Sequence, residues 1–567
     1  MATTINVSPS VAAKKILALL KLDKKDVSSI YIFAILTGLV QLALPLGIQS
    51  IISFVMAGSI STSMVILIVL VITAVFISGL LQVRQQQVTE KIQQKIFVRY
   101  AFEFADRLPK LNIEKLDSYY LPELVNRFFD TSTLQKGIEK LLLDIPTAVI
   151  QILFGVILLS FYHPVFIGFG AILIFILYLI LIYTLPAGFD ASIEASNQKY
   201  ATAAWLEEMA RVIKTFKYSR GTSLNINKTD RIVNKYLEAR TTYFKVLLIQ
   251  YWSLISFKLV ITAAMLIVGA ILLVDQQINI GQFIAVDLVI LSVIASVEKL
   301  IVNLDKVYDV LTAVEKLGKI TESEIESEGS IVLNEDKTGV AIQFKEVNFG
   351  YSNNNKVLDN ISFAIEAGQK VCVMGESGSG KSSLLRVLTG AFKKFEGSIL
   401  INQMPIGNYT LDSLRSQTGI LLSQQDIFNG SIWENITMGN KAITPMQVGI
   451  LVDKSGLSSL IQSLPNGYDT ELDPTGKKLS GKVRQDILLL RALLGKSRLL
   501  LLEEPLLNLD GSFKKNIAEY ILKEINATVI IATADVEIAK ECDLVIYLQE
   551  GKIKAIGTWL AIANQIN

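Results

Sequence analysis

Six apolar stretches, at roughly 30–56, 64–83, 145–162, 165–185, 253–274 and 282–302, dominate the first 310 residues of the chain. Most approach the ~20 apolar residues that a helix needs to cross a bilayer, so the pattern predicts six membrane-spanning helices. Helical periodicity with a polar face continues past the apolar runs from Arg84 to Asp106 and from Asp190 to Arg211. These segments predict helices that project far beyond the membrane, turning near Tyr119–Asp130 and Val212–Thr222, where a cytoplasmic element is expected to dock. Ahead of the first span, VAAKKILALLKLDKK predicts a short basic amphipathic helix beginning near Ser8-Pro9-Ser10. It is suited either to an anionic membrane surface or to an ordinary solvated position. Residues 319–338 are acidic and weakly patterned and read as a linker. Beyond them the pattern changes to alternating strands and helices: IQFKEVNFGY and NISFAIEAGQKVCVMG read as strands, SSLLRVLTG as a helix. The division expected is an N-terminal segment 1–26, a transmembrane domain 27–318, a linker 319–338 and a soluble domain 339–567. The fold class is a six-span α-helical membrane domain plus a C-terminal α/β domain, which the glycine-rich stretch GESGSGKSS, Gly375 to Ser383, between strand and helix marks as a P-loop nucleotide-binding domain.

Charge orients the spans. Lys14, Lys15, Lys21, Lys24 and Lys25 precede the first span, and the long segments 84–144 and 186–252 are rich in Lys and Arg. The short connections Ala57–Ser63, Tyr162–Pro164 and Gln276–Ile280 carry neither. An excess of Lys and Arg marks the cytoplasmic side, so both termini are expected there, in an integral multi-pass protein of the cell (inner) membrane. No small-residue cleavage site follows a short apolar core near the N-terminus, so no signal peptide is expected. Of the 567 residues, 51% are hydrophobic and the net charge is only +2, which gives no footprint for nucleic acid. The single histidine, His163, falls in a short outer turn, and Cys372 and Cys542 are the only cysteines. No zinc site can be built from them, and Cys372, in an apolar strand, reads as a small core residue.

Three ionisable residues interrupt the apolar stretches: Lys258, Asp287 and Glu298. Such groups are costly in hydrocarbon and usually face a partner or a water-filled space. Counted from the outer turn at ~1.5 Å per residue, Lys258 and Glu298 share a depth of roughly 25 Å. They are expected either to pair across adjacent helices or to reach separately for the inner interface. Asp287 lies nearer the outer side and is a candidate to line a pathway.

The chemistry concentrates in GESGSGKSS, Gly375 to Ser383. It fits G-x-x-x-x-G-K-[ST] through Gly375, Gly380, Lys381 and Ser382, between an apolar strand and a helix start. The loop residues Ser377, Gly378 and Ser379, with Ser383 beyond, allow backbone N–H groups to close around phosphates at a helix N-terminus. Lys381 is expected to reach the β/γ-phosphates and the Ser382 hydroxyl to ligate Mg²⁺.

The six spans, the two long excursions, the acidic linker and the C-terminal cassette together resemble ATP-binding cassette (ABC) exporters of the half-transporter type. The resemblance covers nearly the whole chain. It implies that the inner turns are coupling helices, and that two chains, as a homodimer or a heterodimer, sandwich each ATP between the phosphate loop of one and the signature loop of the other. ALPLGIQSIISFVMAG (43–58) and INIGQF (278–283) look most like the type I secretion branch, whose members work with a periplasmic adaptor and an outer-membrane channel. The residues before the first span are too few for a peptidase domain, so leader cleavage is not implied.

Motif by motif, the resemblance is uneven. Tyr351 in FGYSNNN matches the aromatic that stacks on adenine, and LLSQQDIFNGSI resembles the glutamine loop, with Gln424 or Gln425 as the Mg²⁺ ligand. The signature reads LSGKVRQ, Leu479 to Gln485, where the family has LSGGQ. Ser480 and Gly481 remain, while Lys482 and Val483 replace Gly and Gln. RLLLLEEPLLNLD matches the second Mg²⁺ motif with Glu503-Glu504 in place of Asp-Glu. Glu504 takes the place of the general base, Glu503 that of the Mg²⁺ carboxylate, and Asp510 that of the D-loop aspartate. In IIATADVEIAK the switch histidine is replaced by Ala534, which offers no side-chain hydrogen bond to a γ-phosphate. The expectation is that ATP and Mg²⁺ binding survive and hydrolysis is weakened. The chain is then either an ATP-driven exporter of unidentified, peptide or protein, cargo, or an ATP-binding membrane component that gates a larger secretion assembly without hydrolysis.

Overall fold

The computed structural model describes residues 9–56, 58, 61–116, 121–219, 221–336, 338–351, 356–472, 481–507, 509 and 511–566, which fall into two compact units. The first holds Met1–Leu111 and Ser118–Glu324, the second Asn112–Asp117 and Ile325–Asn567.

The first unit is helical. Helix α1 is Pro9–Lys21; α2 (Lys24–Gln41) and α3 (Ala43–Met56) form the first span, broken at Leu42. Helix α4 runs Thr62–Arg107. After the one-turn helices α5 (Ile113–Leu116) and α6 (Leu121–Asn126) come α7 (Asp130–Tyr162) and α8 (Val165–Arg211). Helices α9 (Ile213–Tyr218), α10 (Leu224–Val274), α11 (Ile280–Val302) and α12 (Leu304–Thr321) complete it. Six of the resulting rods are long and apolar enough to cross a membrane, as the apolar pattern predicts. His163 lies in the α7–α8 turn, where its Nδ1 accepts from the Val165 N–H at 3.3 Å and so closes the turn.

Small residues set the close approach of the rods. A Cβ on Gly188 of α8 would lie 2.3 Å from the Tyr308 ring, and one on Gly155 of α7 would lie 2.4 Å from Val293. The Tyr308 hydroxyl donates to the Thr184 carbonyl at 3.2 Å, and Gln250 joins the same cluster through Thr184 Oγ1 at 2.9 Å. The N-terminal helix α1 forms, but its Lys15 is committed within the protein, to Glu315 at 3.0 Å and Glu322 at 2.9 Å, while Ala12 and Ile16 are buried. Lys15 is therefore turned inward, while Lys14 and Lys21 of the same helix stay exposed. Asp23, at the α1–α2 turn, holds Lys95 at 2.9 Å and Arg99 at 3.1 Å on α4.

Two expected boundaries move. The turn at Tyr119–Asp130 was expected to carry the docking element, yet it is α5, Ile113–Leu116, that groups with the second unit. There the Glu114 carboxylate accepts from the backbone N–H groups of Lys393 (2.6 Å) and Lys394 (2.9 Å). The linker 319–338 also divides: α12 continues to Thr321, and Ile325 onward belongs to the second unit. Glu326 takes both ends of the Arg415 guanidinium at 2.6 and 2.8 Å, and Leu333 is buried in that unit's core. The acidic residues that make this stretch look solvated are thus partly structural.

The second unit is an α/β cassette. Its strands are β1 (Ile342–Phe349), β2 (Leu358–Ile365), β3 (Lys370–Gly375), β4 (Phe395–Ile401), β5 (Met404–Pro405) and β6 (Thr418–Leu421). There follow β7 (Gly430–Ser431), β8 (Glu471–Leu472), β9 (Leu499–Glu503), β10 (Thr528–Ala532), β11 (Leu544–Gln549) and β12 (Lys552–Gly557). The central sheet has the order β12-β11-β3-β10-β9-β6, parallel except at β12. A smaller antiparallel sheet, β2-β1-β4-β5, packs beside it. The nearly continuous apolar runs of β3, β9 and β10 follow from burial on both faces, which parallel order imposes. Cys372 and Cys542 are both buried free thiols in this unit, as the core reading of Cys372 requires.

Lys258 on α10 and Glu298 on α11 form an ion pair of 2.7 Å, so the cross-helix alternative holds. Asp287 is half-buried. Lys258→Met and Glu298→Leu should each lower the thermal midpoint of the lipid-embedded protein, and the double variant should lose less than the sum. A double-mutant cycle should return a coupling of roughly 1–3 kcal/mol; strictly additive losses would show that the pair contributes nothing.

Candidate nucleotide site

Parallel register gathers the candidate site at one end of the central sheet. Glu503 at the end of β9 lies beside Ala532 at the end of β10, Ala532 lies beside Val373 of β3, and Gly375 beside Leu548 of β11. The loops that leave β3, β9 and β10 therefore emerge together, which is where open α/β sheets place their ligands.

The loop after β3 has the conformation its glycines permit. Gly375, Gly378 and Gly380 have φ of 141°, 83° and 103°, and Gly380 caps helix α13, Lys381–Val387. A Cβ on Gly375 would lie 2.1 Å from the Leu548 carbonyl oxygen, so only glycine fits there. Ser377 and Gly378 form an exposed rim, while Ser379 is buried. The loop already has the shape of an anion cradle at a helix N-terminus, so the residues present fit a nucleotide triphosphate. The Lys381 ammonium donates to the carbonyls of Gly375 and Glu376, both at 2.7 Å, folding back over the loop it would open toward phosphate. Burial holds its pKa below the usual lysine range, against the opposing pull of Glu504 and Glu503.

Glu503 joins two loops. Its Oε1 accepts from the Ser382 hydroxyl at 2.5 Å and its Oε2 from the Ser423 N–H at 2.8 Å. A serine hydroxyl that donates to a carboxylate keeps a lone pair for a cation, so this set of oxygens fits Mg²⁺. Of the two glutamines, Gln425 is used inside its own turn: its Oε1 accepts from the Leu422 N–H at 3.0 Å. Gln424 is exposed and its side chain makes no hydrogen bond among the described residues.

Glu504 follows at φ 44°, a left-handed conformation uncommon for a non-glycine residue and frequent where backbone strain is retained for function. Its N–H donates to the Ala532 carbonyl at 2.9 Å. Its carboxylate accepts from the Thr533 hydroxyl at 2.8 Å and the Ala534 N–H at 3.2 Å. Thr533, absent from the sequence reading, is thus the side chain that positions the candidate base. It was detectable in principle from β10 ending one residue before it. Asp535, two residues on, would have its pKa raised by burial, but its 2.6 Å ion pair with Lys514 brings it below the ordinary range.

The remaining candidates are placed less directly. The Tyr351 ring meets Phe349 and Phe392 edge-on, and its hydroxyl lies 3.1 Å from Ser383 Oγ and accepts from Arg386 at 2.9 Å. Ser383 is thereby engaged with Tyr351 rather than left open to phosphate. Gly481 opens the helix Gly481–Leu493, with Lys482 exposed on its first turn. Arg484 of this helix pairs with Asp426 of the glutamine loop at 3.4 Å, a link the sequence reading missed. Ser480 and Asp510 lie outside the described residues.

Two family models match the chain in series: "ABC transporter transmembrane region" over residues 28–297 and "ABC transporter" over 358–507. The chain belongs to the ABC transporters. It has the half-transporter arrangement, one membrane region followed by one cassette. In fold it is similar to a bacterial Atm1-family ABC exporter solved with ATP bound, with a TM-score of 0.85 and 20% identity over 96% of each chain. Pediocin PA-1 transport/processing ATP-binding protein PedD of Pediococcus acidilactici is 24% identical over 96% of this chain and 75% of its own length. The mitochondrial iron-sulfur clusters transporter ATM1 of Candida glabrata is 31% identical over 38% of this chain, and the match spans 30% of that relative.

Phosphate contact would relieve the Lys381 depression, so the pKa is higher in the bound form. ATP affinity should therefore be full below the pKa of the free form and fall as pH rises through it toward the ordinary lysine range. Titration calorimetry across that range should show this decline. Lys381→Ala should lose about tenfold or more in affinity and flatten the pH profile.

Proposed function

We propose that this transporter exports its cargo as a dimer whose cassettes bind MgATP and hydrolyse it slowly. The observation that carries this reading is the Glu504 carboxylate, held by Thr533 and the Ala534 N–H with no imidazole beside it. Lys381 and the loop glycines would hold the phosphates, Ser382, Glu503 and Gln424 the Mg²⁺ sphere, and Tyr351 the adenine. Glu504 would orient and deprotonate the attacking water. The missing imidazole removes one hydrogen bond to the γ-phosphate; loss of one positioned group in a catalytic array typically costs about 10²–10³ in rate. Such losses do not multiply when the groups act as a unit.

The second cassette, from another copy or from a different half-transporter, would close the site with its signature helix. Lys482 would bring a positive charge to the first turn where the family has glycine. The Lys and Arg distribution supports a cytoplasmic cassette and cytoplasmic termini in the cell membrane. A peptide cargo is supported by the relative whose match runs through nearly the whole chain, since that protein's name assigns it pediocin transport. A periplasmic adaptor and an outer-membrane channel would enter only for a cargo that crosses a second membrane.

ATP turnover in lipid nanodiscs should be measurable but slow and should vanish in Glu504→Gln with ATP binding retained. Ala534→His should raise turnover by about tenfold or more. Binding with no turnover in either background would favour the second reading, a nucleotide-dependent clamp that gates a larger assembly.

A further inference from the structure

Helix α13 begins at the phosphate loop, and farther along it also holds Tyr351. Tyr351 stands two residues beyond Phe349, the last residue of β1 to pair with β2 and β4. Strand pairing therefore does not fix it, and 42% of it is exposed. Phe349 and Phe392 meet its ring edge-on, with centroids at 5.0 and 5.7 Å. The hydroxyl end is held from one face of α13. Ser383 and Arg386 are three residues apart, so they are neighbours on the helix surface. Ser383 Oγ lies 3.1 Å from the hydroxyl, and an Arg386 N–H donates to it at 2.9 Å. The guanidinium also stands 5.9 Å from the ring centroid, within reach of the ring face. Its bond to Tyr351 is the one hydrogen bond of the Arg386 side chain among the described residues, and no carboxylate pairs with it there. A half-buried guanidinium with no carboxylate partner carries a desolvation cost that a neutral hydroxyl offsets only in part. As a charged donor it nevertheless makes a stronger bond to that hydroxyl than Ser383 can.

We propose that Arg386 is a positioning residue for the nucleotide: it fixes the Tyr351 ring relative to the phosphate loop, ready for the base of a nucleotide whose phosphates lie in that loop. This rests on the reading above that Tyr351 receives adenine. One short helix bears both the phosphate cradle and the tether, so the base and phosphate subsites keep their spacing. A ring ordered before binding loses little rotamer freedom on binding. The contribution of Arg386 therefore falls on nucleotides and not on bare polyphosphate.

The test compares MgATP with magnesium tripolyphosphate, each titrated calorimetrically into the full chain in nanodiscs. Arg386→Met should weaken ATP roughly three- to tenfold, the effect of one hydrogen bond, and leave tripolyphosphate unchanged. Arg386→Lys, which keeps a charged donor, should recover most of the loss. Tyr351→Phe keeps the ring and removes the hydroxyl; it should lose at least as much ATP affinity as Arg386→Met, and adding Arg386→Met to it should cost nothing more. Equal losses for ATP and tripolyphosphate in Arg386→Met would mean that the arginine only supports α13, and would overturn the proposal. So would losses that add in the double variant, or an Arg386→Met protein that binds ATP as the unaltered chain does. Tyr351→Leu separates this role from the reading beneath it. If Tyr351→Leu weakens ATP alone and Arg386→Met does not, the adenine platform stands and the role of Arg386 falls. If Tyr351→Leu leaves ATP unchanged relative to tripolyphosphate, the adenine reading falls and the proposal falls with it.

Discussion

The second unit depends on one carboxylate, that of Glu503. It takes the phosphate-loop hydroxyl of Ser382 on one oxygen and the glutamine-loop N–H of Ser423 on the other. Three chain segments far apart in sequence meet there, and they meet because β3, β10 and β9 run parallel in adjacent register. An aspartate at this position would have to close both contacts with a side chain one methylene shorter. The Glu substitution therefore reads less as decay than as a bridge fitted to the spacing this cassette has.

The neighbouring residue makes the opposite case. Glu504 is carried by a left-handed backbone turn and tied to the end of β10 through Thr533 and Ala534. The backbone donor at position 534 survives replacement of the histidine, because every non-proline residue supplies an N–H. What is lost is only the group that would extend past the carboxylate toward phosphate. On the proposed reading the candidate base would stay in position while the transition state would lose one hydrogen bond, which would make hydrolysis slow rather than absent.

Much of this was legible in the sequence because it is local or periodic. The phosphate loop lies within nine residues between a strand and a helix, the six spans follow from apolar length, and the shared depth of Lys258 and Glu298, though not their pairing, follows from two rods of constant rise. What escaped depends on contacts remote in sequence. Ser423, Thr533 and the Arg484–Asp426 pair have no motif of their own and become visible only once strand register is fixed. The acidic linker misled for a related reason. Glu326 is indistinguishable from a solvated carboxylate until Arg415, 89 residues later, is brought beside it.

Polar groups of the membrane unit are met in several places by partners on other helices. Lys258 pairs with Glu298, Lys299 with Asp144, and Gln250 with Thr184 and Tyr308, so costly groups are satisfied by side chains on other helices. Where no such partner is at hand, as at the buried hydroxyls of Thr37, Thr89 and Tyr243, the unit carries polar atoms with no hydrogen-bond partner among the described residues.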